Sequence, residues 1–191
     1  MKKVLFGNNM NRMPGWAFRM MAFMFKVADL FQHHDNKLDP FNIRKGQTVI
    51  DYGSGTGRYL PFASEHAGEN GMVYAVDIHP LAVRSAERLI EKQHLKNVRP
   101  LLTDGITVGL PSNVADIIYA LDMFHMVSNP TEFLKELQRL TKPDGVLFLE
   151  DGHQKRSITR EKIINSVSWV ILEETKTYVK CRPAIQEPVH D

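Results

Sequence analysis

Short apolar runs alternate with longer amphipathic runs from residue 47 onward. The short runs are rich in Val, Ile and Leu and end near glycine or acidic residues, a pattern typical of buried strands. The longer runs carry apolar residues three and four positions apart, which predicts helices, and one of them starts with Pro80 at a favoured first-turn position. The predicted strands are 47–53, 72–78, 98–104, 115–121 and 146–151, and the predicted helices are 57–68, 80–95 and 131–140.

Strands that alternate with helices predict a parallel sheet that is covered on both faces. The predicted fold class is therefore α/β, a Rossmann-like doubly wound sheet with helices on both faces. A turn, "KPDG" at 142–145, precedes the last of these strands, and a helix over 158–167 follows it. Two β-rich stretches flank "EETK" at 173–176, so the C-terminal part is predicted to form an antiparallel hairpin over 168–182.

Composition and charge narrow the class of protein. The chain has one cysteine, Cys181, and its N-terminus lacks the apolar run and small-residue cleavage site of a signal peptide, so we expect a cytoplasmic protein without an internal disulfide. The net charge of +2 is too small to indicate nucleic-acid binding. Positive charge is concentrated in residues 1–45, which contain eight Lys and Arg but only three acidic residues.

The stretch "VIDYGSGTG" ends the first predicted strand with three glycines at alternate positions. A glycine-rich turn between a parallel strand and a helix lets a ligand approach the backbone, which indicates a nucleotide-like ligand. The dinucleotide fingerprint is G-x-G-x-x-G. Counted from Gly53, the sixth position of this pattern is Arg58, and the third glycine, Gly57, comes one residue too early. A pyrophosphate-binding site is therefore disfavoured.

Together, "VIDYGSGTG", "VYAVDIHP", "TDG" and "KPDGVLFLE" resemble the class I S-adenosylmethionine-dependent methyltransferases. The resemblance covers residues 47–151 and is greatest to small archaeal and bacterial proteins grouped with quinone C-methyltransferases and arsenite methyltransferases. It implies S-adenosyl-L-methionine as the cofactor and S-adenosyl-L-homocysteine as the product. It also implies a single methyltransferase domain over 1–191, with a helical cap or lid (1–45), a cofactor-binding core (46–151) and a C-terminal helix and hairpin (152–191).

The resemblance also indicates which residues contact the cofactor. Asp77 ends the second predicted strand, where its carboxylate can accept both ribose hydroxyls, and Ile78 beside it offers an apolar face to adenine. In the family pattern Asp104 binds the adenine amino group, with the Gly105 backbone close by, and Asp51 lies near the amino group of the methionine part. The predicted cofactor-binding residues are Asp51, Tyr52, Gly53, Ser54, Gly55, Gly57, Asp77, Ile78, Asp104, Gly105 and Leu121.

Polar side chains at the ends of the fourth and fifth strands are the candidates for chemistry. Asp122, His125 and His153 are predicted catalytic residues, because strand ends beside the topological switch point face the ligand crevice. His125 is either a general base or a brace for its loop. Asp151 would face the same crevice. These four residues lack a short-spaced ligand pair such as H-x-x-x-H, so no metal site is predicted.

The segment from Trp16 to Phe31 is rich in Met and Phe and is apolar on most sides. It is too short and too charged for a membrane span, which leaves a helix packed on the core, a lid over the substrate, or a helix at a membrane surface. An apolar lid favours an apolar or soft acceptor. The same segment offers a surface for peripheral membrane contact or a homodimer.

These observations predict an enzyme that transfers a methyl group to a small acceptor such as a thiol, a phenol or a quinol, by in-line displacement. A sulfonium methyl group is already activated, so the protein mainly has to align the nucleophile and exclude water. Two alternatives stay open. The chain could be an adenosyl-binding or scaffold protein without activity, or an NAD(P)-dependent oxidoreductase.

Overall fold

The computed structural model describes residues 14–17, 19–20 and 37–185. Most of the predicted cap or lid (1–45) lies outside these residues, so its role stays a prediction. Positions 15–17 and 19–20 are helical, and Trp16 and Met20 are exposed there. No helix among the described residues is long and apolar enough to cross a membrane.

Seven strands and four helices make up the described fold, together with 3₁₀ turns at Asp39–Phe41 and Phe124–Met126. The strands are β1 (Thr48–Tyr52), β2 (Met72–Asp77), β3 (Val98–Leu102), β4 (Ala115–Ala120), β5 (Thr141–Leu149), β6 (Trp169–Glu174) and β7 (Val179–Pro183). The helices are α1 (Leu60–Ala67), α2 (Pro80–Gln93), α3 (Pro130–Leu140) and α4 (Arg156–Ser166).

The seven strands form one sheet in the order β3-β2-β1-β4-β5-β7-β6. The first five strands pair in parallel, whereas β7 pairs antiparallel with both β5 and β6. The predicted doubly wound sheet and its C-terminal hairpin are therefore confirmed. Because the strand order reverses between β1 and β4, the topological switch point lies at the carboxyl ends of these two strands, where α/β folds bind their ligands.

Two apolar layers hold the helices against the sheet. On one face α3 and α4 pack over residues such as Ile50 and Leu147, and the indole of Trp169 donates to the Leu134 carbonyl at 2.9 Å. On the other face α1 and α2 pack over Val49 and its neighbours, and Phe41 stacks on the Phe148 ring at 4.0 Å. Alternate residues of β1 thus face opposite layers, as a strand buried on both sides requires.

The predicted turn at 142–145 is wrong as a separate element, because β5 begins at Thr141 and passes through it. The pairing with β4 runs from Ala115 opposite Thr141 to Ile117 opposite Val146, so the intervening residues of β5 form a bulge. A Cβ at Gly145 would lie 2.6 Å from Cγ2 of Thr141, which explains why glycine occupies this bulge.

Candidate active site

The glycine turn after β1 is anchored on the end of β2. The amides of Gly53 and Ser54 donate to the Val76 carbonyl at 2.8 and 3.2 Å, and the amide of Gly57 closes the turn on the Ser54 carbonyl at 2.8 Å. All three glycines have positive φ, at 80° for Gly53, 55° for Gly55 and 83° for Gly57. The alternate glycines are therefore what lets the chain turn from strand to helix at the switch point.

The three glycines have different surroundings. A Cβ at Gly53 would lie 2.9 Å from Cγ of Met123, and a Cβ at Gly57 would lie 2.9 Å from Cδ1 of Leu60. At Gly55 the nearest atom to such a Cβ is the Gly53 carbonyl oxygen, at 3.9 Å. Gly53 and Gly57 thus permit close packing inside the protein, whereas Gly55 presents bare backbone to open space where a ligand can approach.

Asp77 is buried at the end of β2 and is oriented by two backbone amides. Its Oδ2 accepts from the Gly55 amide at 2.9 Å, and its Oδ1 accepts from the His79 amide at 2.8 Å. His79 is itself fixed, because its Nδ1 caps α2 by accepting from the Leu81 amide at 3.1 Å. A carboxylate oxygen has more than one acceptor position, so both oxygens of Asp77 can still accept hydroxyl donors from a ligand.

Asp51 lies buried on β1, next to Tyr119 of β4 in the sheet register. The pKa of Asp51 is raised to about 8. Burial is the main cause, the Tyr119 hydroxyl acts in the opposite direction, and the charge of nearby Asp77 adds to the rise. Among the described residues, Oδ2 of Asp51, the Tyr119 hydroxyl and Oγ of Ser54 complete no hydrogen bond of ordinary geometry. Buried polar atoms without partners are costly, so these atoms mark a place for a polar ligand.

The loop after β3 holds two more of the predicted cofactor contacts. Asp104 is exposed, and its Oδ1 accepts from the amides of Ile106 and Thr107 at 2.8 and 2.9 Å. The buried Gly105 has a φ of 90°, and its amide donates to Oγ1 of Thr103 at 3.2 Å. Asp104 therefore shapes this loop, and its contact with adenine stays a prediction.

The remaining cofactor candidates are apolar or aromatic. The Tyr52 ring is buried and meets the Phe133 ring edge to face, with 5.0 Å between the centroids. Its hydroxyl makes no hydrogen bond to a described residue, and burial raises its pKa. Ile78 and Leu121 are half-buried and pack against opposite core layers. Their contacts with a cofactor stay predictions.

The three predicted catalytic residues come together. Asp122 follows β4 with a φ of 51°, His125 lies in the 3₁₀ turn that comes next, and His153 lies in the loop after β5. One ligand atom from each of the three side chains lies within 4.8 Å of the others. The two imidazole rings meet edge to face, with 4.9 Å between their centroids. Two loops that are distant in sequence thus form one polar cluster.

His125 packs tightly against the loop that carries His153. A Cβ at Gly152 would overlap Nδ1 of His125, so only glycine allows the two loops to approach this closely. This Nδ1 atom is buried and makes no hydrogen bond to a described residue. Burial lowers the pKa of His125, and the charges of His153 and Lys162 lower it further, against the opposite effect of Asp122.

Asp151 is not part of this cluster of three, although it lines one cavity together with Asp122 at the carboxyl edge of the sheet. Its two carboxylate oxygens accept from Nε of Arg156, each at 2.9 Å. Arg156 also donates to the Thr175 carbonyl at 2.8 Å, which ties the end of β5 to α4 and to the hairpin. Sequence alone did not reveal this pair, because Asp151 and Arg156 are neighbours only once the loop between them folds back.

Other charged residues at this edge were also missed by the sequence patterns. Lys37 pairs with Glu150 at 2.8 Å, a contact between residues 113 positions apart. Lys162 donates to Oε1 of Gln154 at 2.9 Å and to the Phe124 carbonyl at 3.3 Å. A cavity of about 300 Å³ opens at this edge of the sheet, lined by Lys37, Asp122, Glu150, Asp151, Gly152, Lys176 and Thr177.

Comparisons with known proteins agree with this arrangement. A family model described as a methyltransferase domain matches residues 43–182. A ubiquinone/menaquinone biosynthesis C-methyltransferase of Hydrogenovibrio crunogenus is 29% identical over 126 residues, which is 65% of this chain and 49% of that protein. A demethylmenaquinone methyltransferase of a Geobacillus species is 26% identical over 117 residues, 61% of this chain and 50% of that protein.

A crystal structure of a SAM-dependent methyltransferase from Aquifex aeolicus has a similar fold, with a TM-score of 0.72 and 28% sequence identity. The match covers 79% of this chain and 90% of that protein. This chain spans about half the length of the curated relatives that it matches. The family match covers β1 to β6 completely and β7 except for its last residue, Pro183.

Proposed function

Because the chain belongs to the methyltransferase domain family, we propose that it binds S-adenosyl-L-methionine and transfers the methyl group to a small acceptor. The observation that carries the proposal is the pair of buried carboxylates beside Gly55. Asp77 is already oriented by two amides, and Asp51 has a buried oxygen that completes no hydrogen bond of ordinary geometry with a described residue. The residues present therefore fit an adenosyl ligand that carries a charged amino group.

Three parts of the cofactor, the ribose, the amino group and adenine, have a matching protein group in this proposal. The two oxygens of Asp77 would accept the ribose hydroxyls, and the exposed backbone of Gly55 leaves room for the ligand to pass. Asp51 would pair with the amino group of the methionine part, since a positive charge there compensates the burial of its carboxylate. Ile78 offers apolar contact to adenine, as the sequence predicts.

A sulfonium supplies an activated methyl group, so the work left to this chain is to bind, orient and exclude water. The switch point between β1 and β4 places the glycine turn and the loop with Asp122 and His125 at one edge of the sheet. In this proposal, the polar cluster of Asp122, His125 and His153 orients the acceptor. Where the acceptor is a hydroxyl, one of the imidazoles takes its proton.

We propose a phenol or quinol as the acceptor class, with a thiol as the next choice. Two of the similar proteins are named as methyltransferases of quinone biosynthesis, and a phenolic hydroxyl matches two imidazoles and a carboxylate in hydrogen-bonding character. The Met- and Phe-rich segment from Trp16 to Phe31 would cover such an apolar acceptor. Contact of this segment with a membrane surface or with a second copy of the chain is part of the same proposal. Most of the segment lies outside the described residues.

A methyl-transfer screen tests the proposal. The protein is incubated with S-adenosylmethionine and panels of phenols, quinols, thiols, amines and arsenite, and product masses are read directly. We expect a gain of one methyl group on a phenol or quinol, and much less product with Asp77→Ala at a subsaturating cofactor concentration, because this variant lacks the ribose contact. A product only on amines or arsenite would contradict the acceptor class, and no transfer to any panel by a protein that binds the cofactor would favour a non-catalytic binding protein.

A further inference from the structure

We propose that Asp122, His125 and His153 bind one divalent transition-metal ion at the edge of the methyl-transfer site. Their ligand atoms lie within 4.8 Å of one another, although the residues come from two separate loops. The sequence pattern predicted no metal site, because no short-spaced ligand pair is present. The fold nevertheless brings these three side chains together. Metal binding can be tested whether or not the proposed methyl transfer is correct.

The donor set fits a particular class of ion. Two imidazole nitrogens and one carboxylate oxygen suit Zn²⁺, Fe²⁺, Co²⁺ or Mn²⁺ better than Mg²⁺ or Ca²⁺, which prefer sites made only of oxygen. Three protein ligands leave at least one coordination position open, which is the arrangement of catalytic rather than structural zinc sites. The open position would take water or an oxygen of a small ligand.

The geometry needs a small adjustment to close around an ion. With metal–ligand distances of about 2.1 Å, neighbouring donors in a tetrahedral site lie about 3.4 Å apart, so the cluster has to contract by about 1.4 Å at most. Asp122 and His153 are exposed, and rotation of their side chains can supply this movement. His125 is the fixed member, because it is packed against Gly152.

The surrounding charges leave Asp122 available as a ligand. The nearby carboxylates are already engaged, Glu150 by Lys37 and Asp151 by Arg156. Asp122 is exposed, and its carboxylate has a ligand atom within 4.8 Å of ligand atoms of both histidines. The positive charge of Lys162 acts on His125. The Lys162 ammonium donates hydrogen bonds to Oε1 of Gln154 and to the Phe124 carbonyl.

The position of the cluster suggests what a bound ion would do. Asp122 also lines the cavity of about 300 Å³ at the carboxyl edge of the sheet. An ion there could hold an acceptor through a hydroxyl oxygen at its open coordination position and lower the pKa of that hydroxyl. This role would replace proton transfer to an imidazole, since both imidazoles would then be ligands. This consequence rests on the proposed function, whereas the binding of the ion does not.

Cobalt spectroscopy and calorimetry test the site. The full chain without an affinity tag is treated with a chelator, dialysed and titrated with Co²⁺, and visible absorbance reports the coordination; Zn²⁺ affinity is measured by calorimetry. We expect one ion per chain, and His153→Ala should weaken binding at least about tenfold, since one of three ligands is lost. The matched control is His94→Asn, which removes an exposed histidine at the C-terminal end of α2 and should leave the affinity unchanged.

Two further measurements make the result decisive. Circular dichroism and S-adenosylhomocysteine affinity of His153→Ala should equal those of the wild type, because His153 is exposed and is not one of the predicted cofactor contacts. Asp122→Asn should repeat the loss of metal affinity. Absence of saturable Co²⁺ binding up to millimolar concentration would overturn the proposal. So would binding that survives both ligand variants, or that disappears in the His94→Asn control.

Discussion

Replacing Asp51 by asparagine should change how the stability of the ligand-free protein depends on pH. The folded-state pKa of Asp51 is about 8, against an ordinary value of 3.8, because burial disfavours the charged carboxylate. In linkage terms a raised acid pKa means that the folded state holds its proton longer than the unfolded state. The contribution of this group to stability is therefore complete below pH 4 and is lost progressively as pH rises through about 8.

The size of the effect follows from the same shift. Between pH 5 and pH 8 the unfolded state has released the proton and the folded state largely retains it, so the free energy of unfolding falls by about 1.4 kcal/mol per pH unit. Over these three units the loss attributable to Asp51 is about 4 kcal/mol. The side-chain amide of the Asp51→Asn variant does not titrate, so this variant should lack that part of the pH dependence.

Urea unfolding of the wild type and the variant at several pH values between 5 and 8 gives the difference directly, because the titration of every other group cancels to first order. We expect the variant to gain stability relative to the wild type by about 4 kcal/mol across this range. Asp144→Asn, an exposed change on the bulge of β5, is the matched control and should give a flat difference. A flat difference for Asp51→Asn as well would refute the reasoning about its burial.

Four further substitutions test other parts of the structure. Asp77→Ala should weaken S-adenosylhomocysteine binding by about 2–3 kcal/mol in calorimetry, as expected for the loss of charge-assisted hydrogen bonds, and unchanged affinity in a folded variant would remove Asp77 from the site. Gly55→Ala should lower the S-adenosylhomocysteine affinity at least about tenfold. Gly57→Ala should lower the melting temperature more than Gly55→Ala does, because only at Gly57 would the new Cβ meet core atoms. Equal effects of the two variants on affinity and on melting temperature would contradict this division. Arg156→Gln should reduce the free energy of unfolding by about 2 kcal/mol in urea titrations, because it leaves the carboxylate of Asp151 without its partner, and a loss below about 0.5 kcal/mol would show that this pair is only a surface contact.

Local patterns in the sequence predicted the elements of the sheet well. The strands are short apolar runs that end at the glycine turn and at Asp77, and both signals depend only on neighbouring residues. The start of the first helix was less accurate, since α1 begins at Leu60 rather than at Gly57. The reason is the positive φ of Gly57, which still belongs to the turn. The bulge at 142–145 was missed because a "KPDG" sequence suits a turn and a bulge equally.

The side-chain contacts of the site were harder to predict. The sequence placed Asp122, His125 and His153 near one sheet edge, but not at contact distance, because that depends on how two loops pack across Gly152. It placed Asp151 and His153 in one crevice, but it did not predict that Arg156 engages Asp151. The pairing of Lys37 with Glu150 joins residues 113 positions apart, and no local pattern connects them.

Titration calorimetry with S-adenosylhomocysteine, S-adenosylmethionine and NAD is the most direct test of the central claim, which is that the glycine turn, Asp51 and Asp77 form an adenosyl-methionine site. The account predicts saturable binding of one S-adenosylhomocysteine per chain, a similar response to S-adenosylmethionine, and no saturable heat with NAD. Binding of NAD alone, or of none of the three ligands by a folded protein, would contradict it.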